Sequence, residues 1–98
     1  MKALFVAYSQ AYNEEIIDLL DFFGQRGFTR WVDVQGRGSD DGIPHMGSYV
    51  WPENNHAMLI FVEDDVVADK ILLALKHTDE RTPDLGLRAF MWNIEKSC

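Results

Sequence analysis

Cysteine, basic residues and long apolar runs are all scarce in this chain of 98 residues. Its single cysteine, Cys98, cannot form a disulfide within the chain, so a disulfide-stabilised exported domain is not expected. The net charge of −7 opposes nucleic-acid binding, which depends on clustered Lys and Arg. No apolar run is long enough to cross a membrane, and no cleavage site follows the short N-terminal run. We therefore expect a cytoplasmic protein with no nucleic-acid partner and no direct membrane insertion.

Apolar residues, by contrast, are abundant enough for a folded core. Hydrophobic residues make up 47% and aromatic residues 12% of the sequence, whereas disordered chains are poor in both. A chain of this length suits one domain and is too short for two. We therefore expect a single domain over residues 1–98.

Apolar runs and alternation predict four strands. Residues 3–8, 57–62 and 87–94 are apolar almost throughout, as in strands that are buried on both faces or lie in a subunit contact. Residues 28–35 alternate only in part, with Phe28, Val32 and Val34 on one side and polar residues on the other. This pattern is typical of a strand with one wetter face.

Two further segments have the apolar spacing of helices. The first covers residues 13–25, with Asn13 as its N-cap, two glutamates in its first turn and Gly24 near its end. The second begins after Asp64, which is predicted to be its N-cap. Its buried stripe is predicted at Val67, Ile71, Ala74 and Leu75.

The order of these elements is β-α-β, a long loop, and β-α-β. Right-handed crossovers would place both helices on one face of a four-stranded antiparallel sheet, which is the ferredoxin-like βαββαβ sandwich of the α+β class. The other face of the sheet would then be bare. Because apolar strands are costly to expose, we expect self-association to cover that face.

The connection between the second and third strands, residues 36–56, is unusually long. It holds four of the seven glycines and two of the three prolines. Compact domains usually join neighbouring elements with a few residues, and longer loops are generally functional or disordered. We expect function to reside in this loop.

Three stretches in this order resemble the P-II signal-transduction family: "MKALFVAY", "GFTRWVDVQGRG" and "VEDDVVADKILLAL". The resemblance implies a homotrimer of ferredoxin-like protomers that senses adenine nucleotides or small metabolites in clefts between subunits. It also implies that residues 36–56 are the loop that signals to a target, which we expect to be a membrane transporter. Among the branches of the family, the short one associated with heavy-metal efflux transporters is the most similar. Such a protein is a regulator and no enzyme.

The resemblance also implies a set of ligand-binding residues near the loop and the last strand. Glycines at the start of the loop would let backbone amides approach a ligand, and one arginine there is basic. The implied set is Thr29, Gly36, Arg37, Gly38, Gly86 and Arg88. Acidic residues at Asp79, Glu80 and Asp84 would repel a triphosphate. An adenine nucleotide is therefore a candidate ligand, but tight ATP binding is not expected.

Within the loop, three side chains are candidates for contact with a partner: His45, Tyr49 and Trp51. Some P-II proteins carry a modified tyrosine in this part of the loop. An aromatic residue beside Trp51 is explained equally well as an anchor for a partner or for the loop itself, and we favour that interpretation.

An alternative function is the binding of copper, silver or zinc. Imidazole and thioether groups suit such ions, and His45, Met46 and His56 would supply them. Two histidines eleven residues apart do not define a site, however, and ligand-type residues often occur without one. Met58 lies in an apolar strand, where a core position is expected.

A third hypothesis is a small enzyme with an aromatic pocket lined by Trp31 and Trp92 inside one protomer. Serine, histidine and aspartate residues suited to nucleophilic catalysis all fall in the one long loop, which is a poor place to hold catalytic geometry. We therefore do not expect an enzyme, and we place both tryptophans at the sheet or at a subunit interface.

Overall fold

The computed structural model describes residues 1–34, 55–82 and 86–98, and these form four strands, two α-helices and one 3₁₀ turn. The elements follow in the order β1 (Lys2–Ser9), a 3₁₀ turn (Gln10–Tyr12), α1 (Asn13–Phe22), β2 (Thr29–Val34), β3 (Asn55–Val62), α2 (Asp65–Arg81) and β4 (Leu87–Asn93). None of the helices in these ranges is both long and apolar enough to span a membrane.

The four strands form one antiparallel sheet in the order β2-β3-β1-β4. The two central strands, β1 and β3, are the two most apolar predicted runs, as expected for strands with neighbours on both sides. Both helices contribute to a core on one face of the sheet. This is the predicted ferredoxin-like α+β sandwich, and its topology is confirmed.

The core lies between the helices and alternate residues of the strands. In β1 the residues that face the helices are Leu4, Val6 and Tyr8, and each is almost completely buried. The rest of the core comes from the remaining strands and both helices: Tyr12, Ile16, Leu20, Met58, Ile60, Val62, Ala68, Ile71, Leu75 and Leu87. Met58 is therefore a core residue, as the sequence predicted.

The start of α1 differs from the prediction. The backbone enters the helix through the 3₁₀ turn, whose N-cap is Ser9, and Asn13 is already helical. Asn13 makes no capping bond, because its Oδ1 accepts hydrogen bonds from the Tyr8 hydroxyl and the Arg30 guanidinium. The helix also ends at Phe22, three residues before the predicted end, and the chain leaves it through Gly24 in a left-handed conformation (φ 77°).

The start of α2 agrees with the prediction. Asp64 is its N-cap, and the carboxylate accepts hydrogen bonds from the amides of Val66 (2.8 Å) and Val67 (3.3 Å). Ile71 and Leu75 are buried as predicted, but the stripe also contains Ala68 and Thr78. Val67 and Ala74, which were predicted to belong to it, are only partly buried.

Replacing Asp64 with alanine is expected to destabilise the protein by about 1 kcal/mol, because two amides at the start of α2 lose their acceptor. Urea denaturation followed by circular dichroism measures this change. Asp69→Ala is the matched control, since it removes the same charge from an exposed position inside the same helix. Equal effects of the two substitutions would contradict the capping role.

The course of β2 departs most from the sequence prediction. Trp31 pairs with Ala57, but Val34 pairs with Asn55, so Val32 and Asp33 together lie opposite His56. One extra residue in a strand is a β-bulge, and it moves the residues that follow onto the other face. The predicted grouping of Val32 with Val34 was therefore wrong. Asp33 at the bulge has a φ of 56°, a left-handed conformation that aspartate tolerates better than most residues.

The ends of the other strands differ from the prediction by one or two residues; β1, for example, spans Lys2–Ser9 where residues 3–8 were predicted. β3 begins at Asn55, two residues earlier than predicted, because Asn55 and His56 continue the ladder opposite Ser9 and Tyr8. β4 ends at Asn93, one residue earlier than predicted.

Candidate functional site

The sheet face opposite the helices carries several exposed aromatic side chains. Residues directly opposite each other in neighbouring strands point to the same face, so the register defines this open face. Four aromatic side chains on it are each about half exposed: Trp31 (46%), Phe61 (49%), Phe90 (59%) and Trp92 (47%). Between them lie the smaller or more buried residues Ala3, Phe5, Ala7, Ala57 and Leu59.

Two of the predicted ligand residues, Thr29 and Arg88, lie on opposite edges of the sheet. Thr29 begins β2 and Arg88 belongs to β4. Because β3 and β1 separate these strands, they are roughly 14 Å apart, three times the usual spacing of neighbouring strands. The two residues do not meet within one chain.

Gly86 and Arg88 lie together where the chain enters β4. Gly86 has a φ of 86°, and its carbonyl oxygen accepts a hydrogen bond from the Ser9 amide (3.1 Å). A left-handed conformation at this point explains the glycine without a ligand. The Arg88 guanidinium lies 3.4 Å from the Asp79 carboxylate and 3.2 Å from the Leu87 carbonyl oxygen. Part of its positive charge is therefore offset by Asp79.

A polar cluster that sequence reasoning missed joins β1, α1 and β2 on the helix side of the sheet. The Tyr8 hydroxyl donates to Asn13 Oδ1 (2.8 Å), and Arg30 Nη1 donates to the same oxygen (3.2 Å). Burial raises the pKa of the Tyr8 phenol, and the nearby Arg30 charge opposes that rise. No spacing in the sequence indicates this cluster, because its members come from three separate elements.

His56 is buried at the start of β3, with only 6% of its surface exposed. The Asp33 amide lies 3.2 Å from its Nδ1, and the Asn55 carbonyl oxygen lies 3.0 Å from the same atom. The ring stands edge-on to Tyr8, with 5.8 Å between ring centroids and planes inclined by 82°. The imidazole is therefore engaged in packing and hydrogen bonding inside the chain.

The predicted metal ligands are only partly within the described residues. His45 and Met46 lie outside them, so the described structure shows His56 alone. Within residues 1–34, 55–82 and 86–98, no group of three or more His, Cys, Asp or Glu side chains is arranged to hold a metal ion. The soft-metal site stays a prediction that rests on the loop.

The aromatic pocket required by the small-enzyme hypothesis is not formed. Trp31 lies on β2 at the level of Ala7, and Trp92 lies on β4 at the level of Ala3. The two strands are roughly 14 Å apart, and the two residues are also offset by roughly 13 Å along the strands. One pocket within a protomer cannot be lined by both indoles. Their place on the sheet agrees with the sequence prediction.

The remaining candidate residues fall outside the described ranges. These are the loop residues Gly36, Arg37, Gly38, Tyr49 and Trp51. Their assignment as ligand-binding or partner-binding residues remains a prediction.

The structure of this chain is similar to solved structures of other proteins. No family model matches the sequence, and no curated protein matches it. Among solved structures, one match is CPII from Thiomonas intermedia K12, a nitrogen regulatory PII-like protein bound to ADP, AMP and bicarbonate. The TM-score is 0.77 and the identity 21%, and the match covers 95% of this chain and 84% of that chain. The chain has the PII-like fold.

Two further structures agree. The apo form of CPII matches with a TM-score of 0.69 and 18% identity over 95% of this chain and 87% of that chain. A protein of Thermus thermophilus described as PII-like and signalling matches with a TM-score of 0.67 and 22% identity over 95% of this chain and 85% of that chain. The resemblance drawn from the sequence is thus confirmed for the PII-like fold. At these identities the likeness concerns the fold alone.

Proposed function

We propose that this protein is a cytoplasmic PII-like regulator that forms a homotrimer, senses a small ligand in clefts between subunits and controls a target protein through residues 36–56. The observation that carries the proposal is the placement of Thr29 and Arg88 at opposite edges of one sheet in a PII-like fold. A ligand that contacts both residues has to lie between two copies of the chain. The target is a membrane transporter, with heavy-metal efflux as the first class to examine.

The open face supports self-association. Four aromatic side chains on it are each about half exposed, and a monomer rarely leaves so large a contiguous apolar surface in water. The acidic net charge disfavours nonspecific aggregation, because like-charged molecules repel one another. A closed symmetric assembly covers the apolar face and leaves the helices and their charged residues outside.

The first ligands to test follow from this geometry and from the fold. CPII is bound to ADP, AMP and bicarbonate, so adenine nucleotides and bicarbonate are the natural candidates. Arg88 is partly compensated by Asp79, which favours a ligand with less negative charge than ATP. A metal ion belongs in the same screen because of His45, Met46 and His56.

Arg88→Ala is expected to weaken binding of the preferred nucleotide or bicarbonate at least about tenfold, since a charge-assisted hydrogen bond contributes about 1.5–3 kcal/mol. Calorimetry, after a thermal-shift screen of ADP, AMP, ATP, bicarbonate and zinc, measures the loss. Arg81→Ala is the matched control, because Arg81 is an arginine of similar exposure that pairs with Glu15 instead.

A mixing experiment tests the position of the site between subunits. Thr29→Tyr and Arg88→Ala each damage one side of the cleft, so either variant alone should bind poorly. Co-expressed, the two chains form mixed oligomers in which some clefts have both sides intact, and binding should be partly restored. Absence of any restoration in verified mixed oligomers, or equal losses from Arg81→Ala and Arg88→Ala, would contradict the proposed site.

A further inference from the structure

The bulge in β2 is held from the opposite strand by one buried side chain. Two residues of β2, Val32 and Asp33, lie opposite the single residue His56. Such an extra residue bends a strand and redirects the chain that follows it. The His56 ring lies under this point and is almost fully buried. The bulge therefore contacts an imidazole of β3, near the end of β2.

In the hydrogen bond between this ring and the bulge, the bulge supplies the donor and the ring supplies the acceptor. The Asp33 amide is a donor, so its hydrogen bond to Nδ1 (3.2 Å) requires a lone pair on that nitrogen and a proton on Nε2. The Asn55 carbonyl oxygen, 3.0 Å from the same nitrogen, could accept only if Nδ1 carried the proton. The two hydrogen bonds exclude each other. Only the tautomer with the proton on Nε2 stabilises Asp33 in its left-handed conformation.

A second hydrogen bond of β2 is made by Arg30, three residues before Asp33. Arg30 donates to Asn13 Oδ1 (3.2 Å), and the Tyr8 hydroxyl donates to the same oxygen (2.8 Å). The Tyr8 ring in turn packs edge-on against His56. The two partners of β2, Asn13 and His56, thus both contact one buried tyrosine of β1, Tyr8. Tyr8 therefore connects the start of α1 with the start of β3, and through them with β2.

We propose that His56 is a positioning residue: by accepting the hydrogen bond of the Asp33 amide, its Nδ1 fixes the bulge and thereby the direction in which the chain leaves β2 toward the segment that precedes β3. The consequence for signalling rests on the proposed function of that segment. The tautomer and the hydrogen bond themselves do not depend on it, and they can be measured without a ligand or a target.

The first test uses the wild-type protein. Long-range ¹H–¹⁵N correlation spectra of the histidine rings assign the tautomer, and His56 is expected to carry its proton on Nε2. A proton on Nδ1 would overturn the proposal, because that nitrogen could not accept from the Asp33 amide. This measurement needs no variant and no binding partner.

The second test distinguishes the effect of the hydrogen-bond acceptor of His56 from the effect of its aromatic ring. His56→Asn keeps an acceptor oxygen near the position of Nδ1, whereas His56→Phe keeps an aromatic ring and removes the acceptor. We expect exchange of the Asp33 amide hydrogen to rise at least about tenfold in His56→Phe and to stay near the wild-type rate in His56→Asn. The three-bond coupling that reports φ of Asp33 should move toward that of an ordinary strand only in His56→Phe.

Two outcomes would overturn the positioning role. Undiminished protection and an unchanged coupling in His56→Phe would show that the acceptor is not needed. Equal losses in His56→Asn and His56→Phe would show that ring packing, not hydrogen bonding, holds the bulge. A failure of the proposed function would appear separately, as absence of ligand binding by the wild-type protein.

Discussion

Replacing Phe90 with aspartate is expected to abolish self-association of this chain. Phe90 lies on the open face, paired with Phe5, and 59% of its surface is exposed in one chain. Covering the remaining apolar area of a Phe side chain contributes about 1 kcal/mol. A carboxylate buried at the same place costs several kcal/mol unless it is paired. Every subunit of a symmetric assembly carries the change, so its effect is repeated at every interface.

Sedimentation velocity measures the outcome directly. The wild-type chain is expected at the mass of a trimer and the Phe90→Asp variant at the mass of a monomer, with a dissociation constant raised at least about a hundredfold. The matched control is Phe22→Asp, which places the same charge at an even more exposed Phe (82%) at the end of α1, outside the sheet. A wild-type monomer, or equal dissociation by both variants, would contradict an interface at the open face.

Truncating Leu75 to alanine is expected to produce the second large effect, a loss of about 2–5 kcal/mol of stability. Leu75 is fully buried in α2 and belongs to the core between the helices and the sheet. The loss combines the transfer free energy of the removed carbons with the cavity that they leave. Because a domain of this size has a total stability of about 5–15 kcal/mol, the variant would lose a substantial part of it.

Leu73→Ala is the control for this substitution. Leu73 is a leucine of the same helix, two residues earlier, and 54% of its surface is exposed. Its truncation should change stability by less than about 1 kcal/mol. Urea denaturation of both variants at one fixed protomer concentration gives the comparison, since oligomerisation would otherwise shift the midpoint. Similar midpoints for the two variants would contradict the described packing of α2.

The elements that could be predicted are those whose signal is local. The N-cap of α2 was predicted correctly, because an aspartate before an apolar helical pattern satisfies two amides of its own helix. β1 was predicted as a strand from its apolar run, and its central position in the sheet agrees with that composition. The fold follows from the order of the elements, since few topologies accommodate two successive β-α-β units.

The elements that could not be predicted depend on partners distant in sequence. Asn13 has the composition of an N-cap, yet its side chain is taken by Tyr8 and Arg30 from two strands. The bulge in β2 has no turn signal, because Asp33 occupies a conformation that glycine or asparagine usually marks. The role of His56 likewise depends on residues of the neighbouring strand.

The candidate ligand site, too, could be predicted only in part from the sequence. The sequence suggested Thr29, Gly86 and Arg88 through a family resemblance, and it could not place them relative to one another. The strand order separates Thr29 from Arg88, and this separation supports the proposed location of the site between chains. The compensation of Arg88 by Asp79 became visible only when α2 and β4 were packed together.

By itself the sequence determined the fold class, the α2 cap, the apolar character of both sheet faces and the acidic charge, because these depend on residue type and spacing along one segment. Only the tertiary structure decided which residues share the open face, where β2 bulges, which nitrogen of His56 accepts a hydrogen bond and which predicted ligand residues meet. Those properties arise from pairings between segments that are distant in the sequence, such as Ala3 of β1 with Trp92 of β4. The preferences of single residues and short segments do not specify such pairings, because they are set by the register that the strands adopt when the sheet assembles.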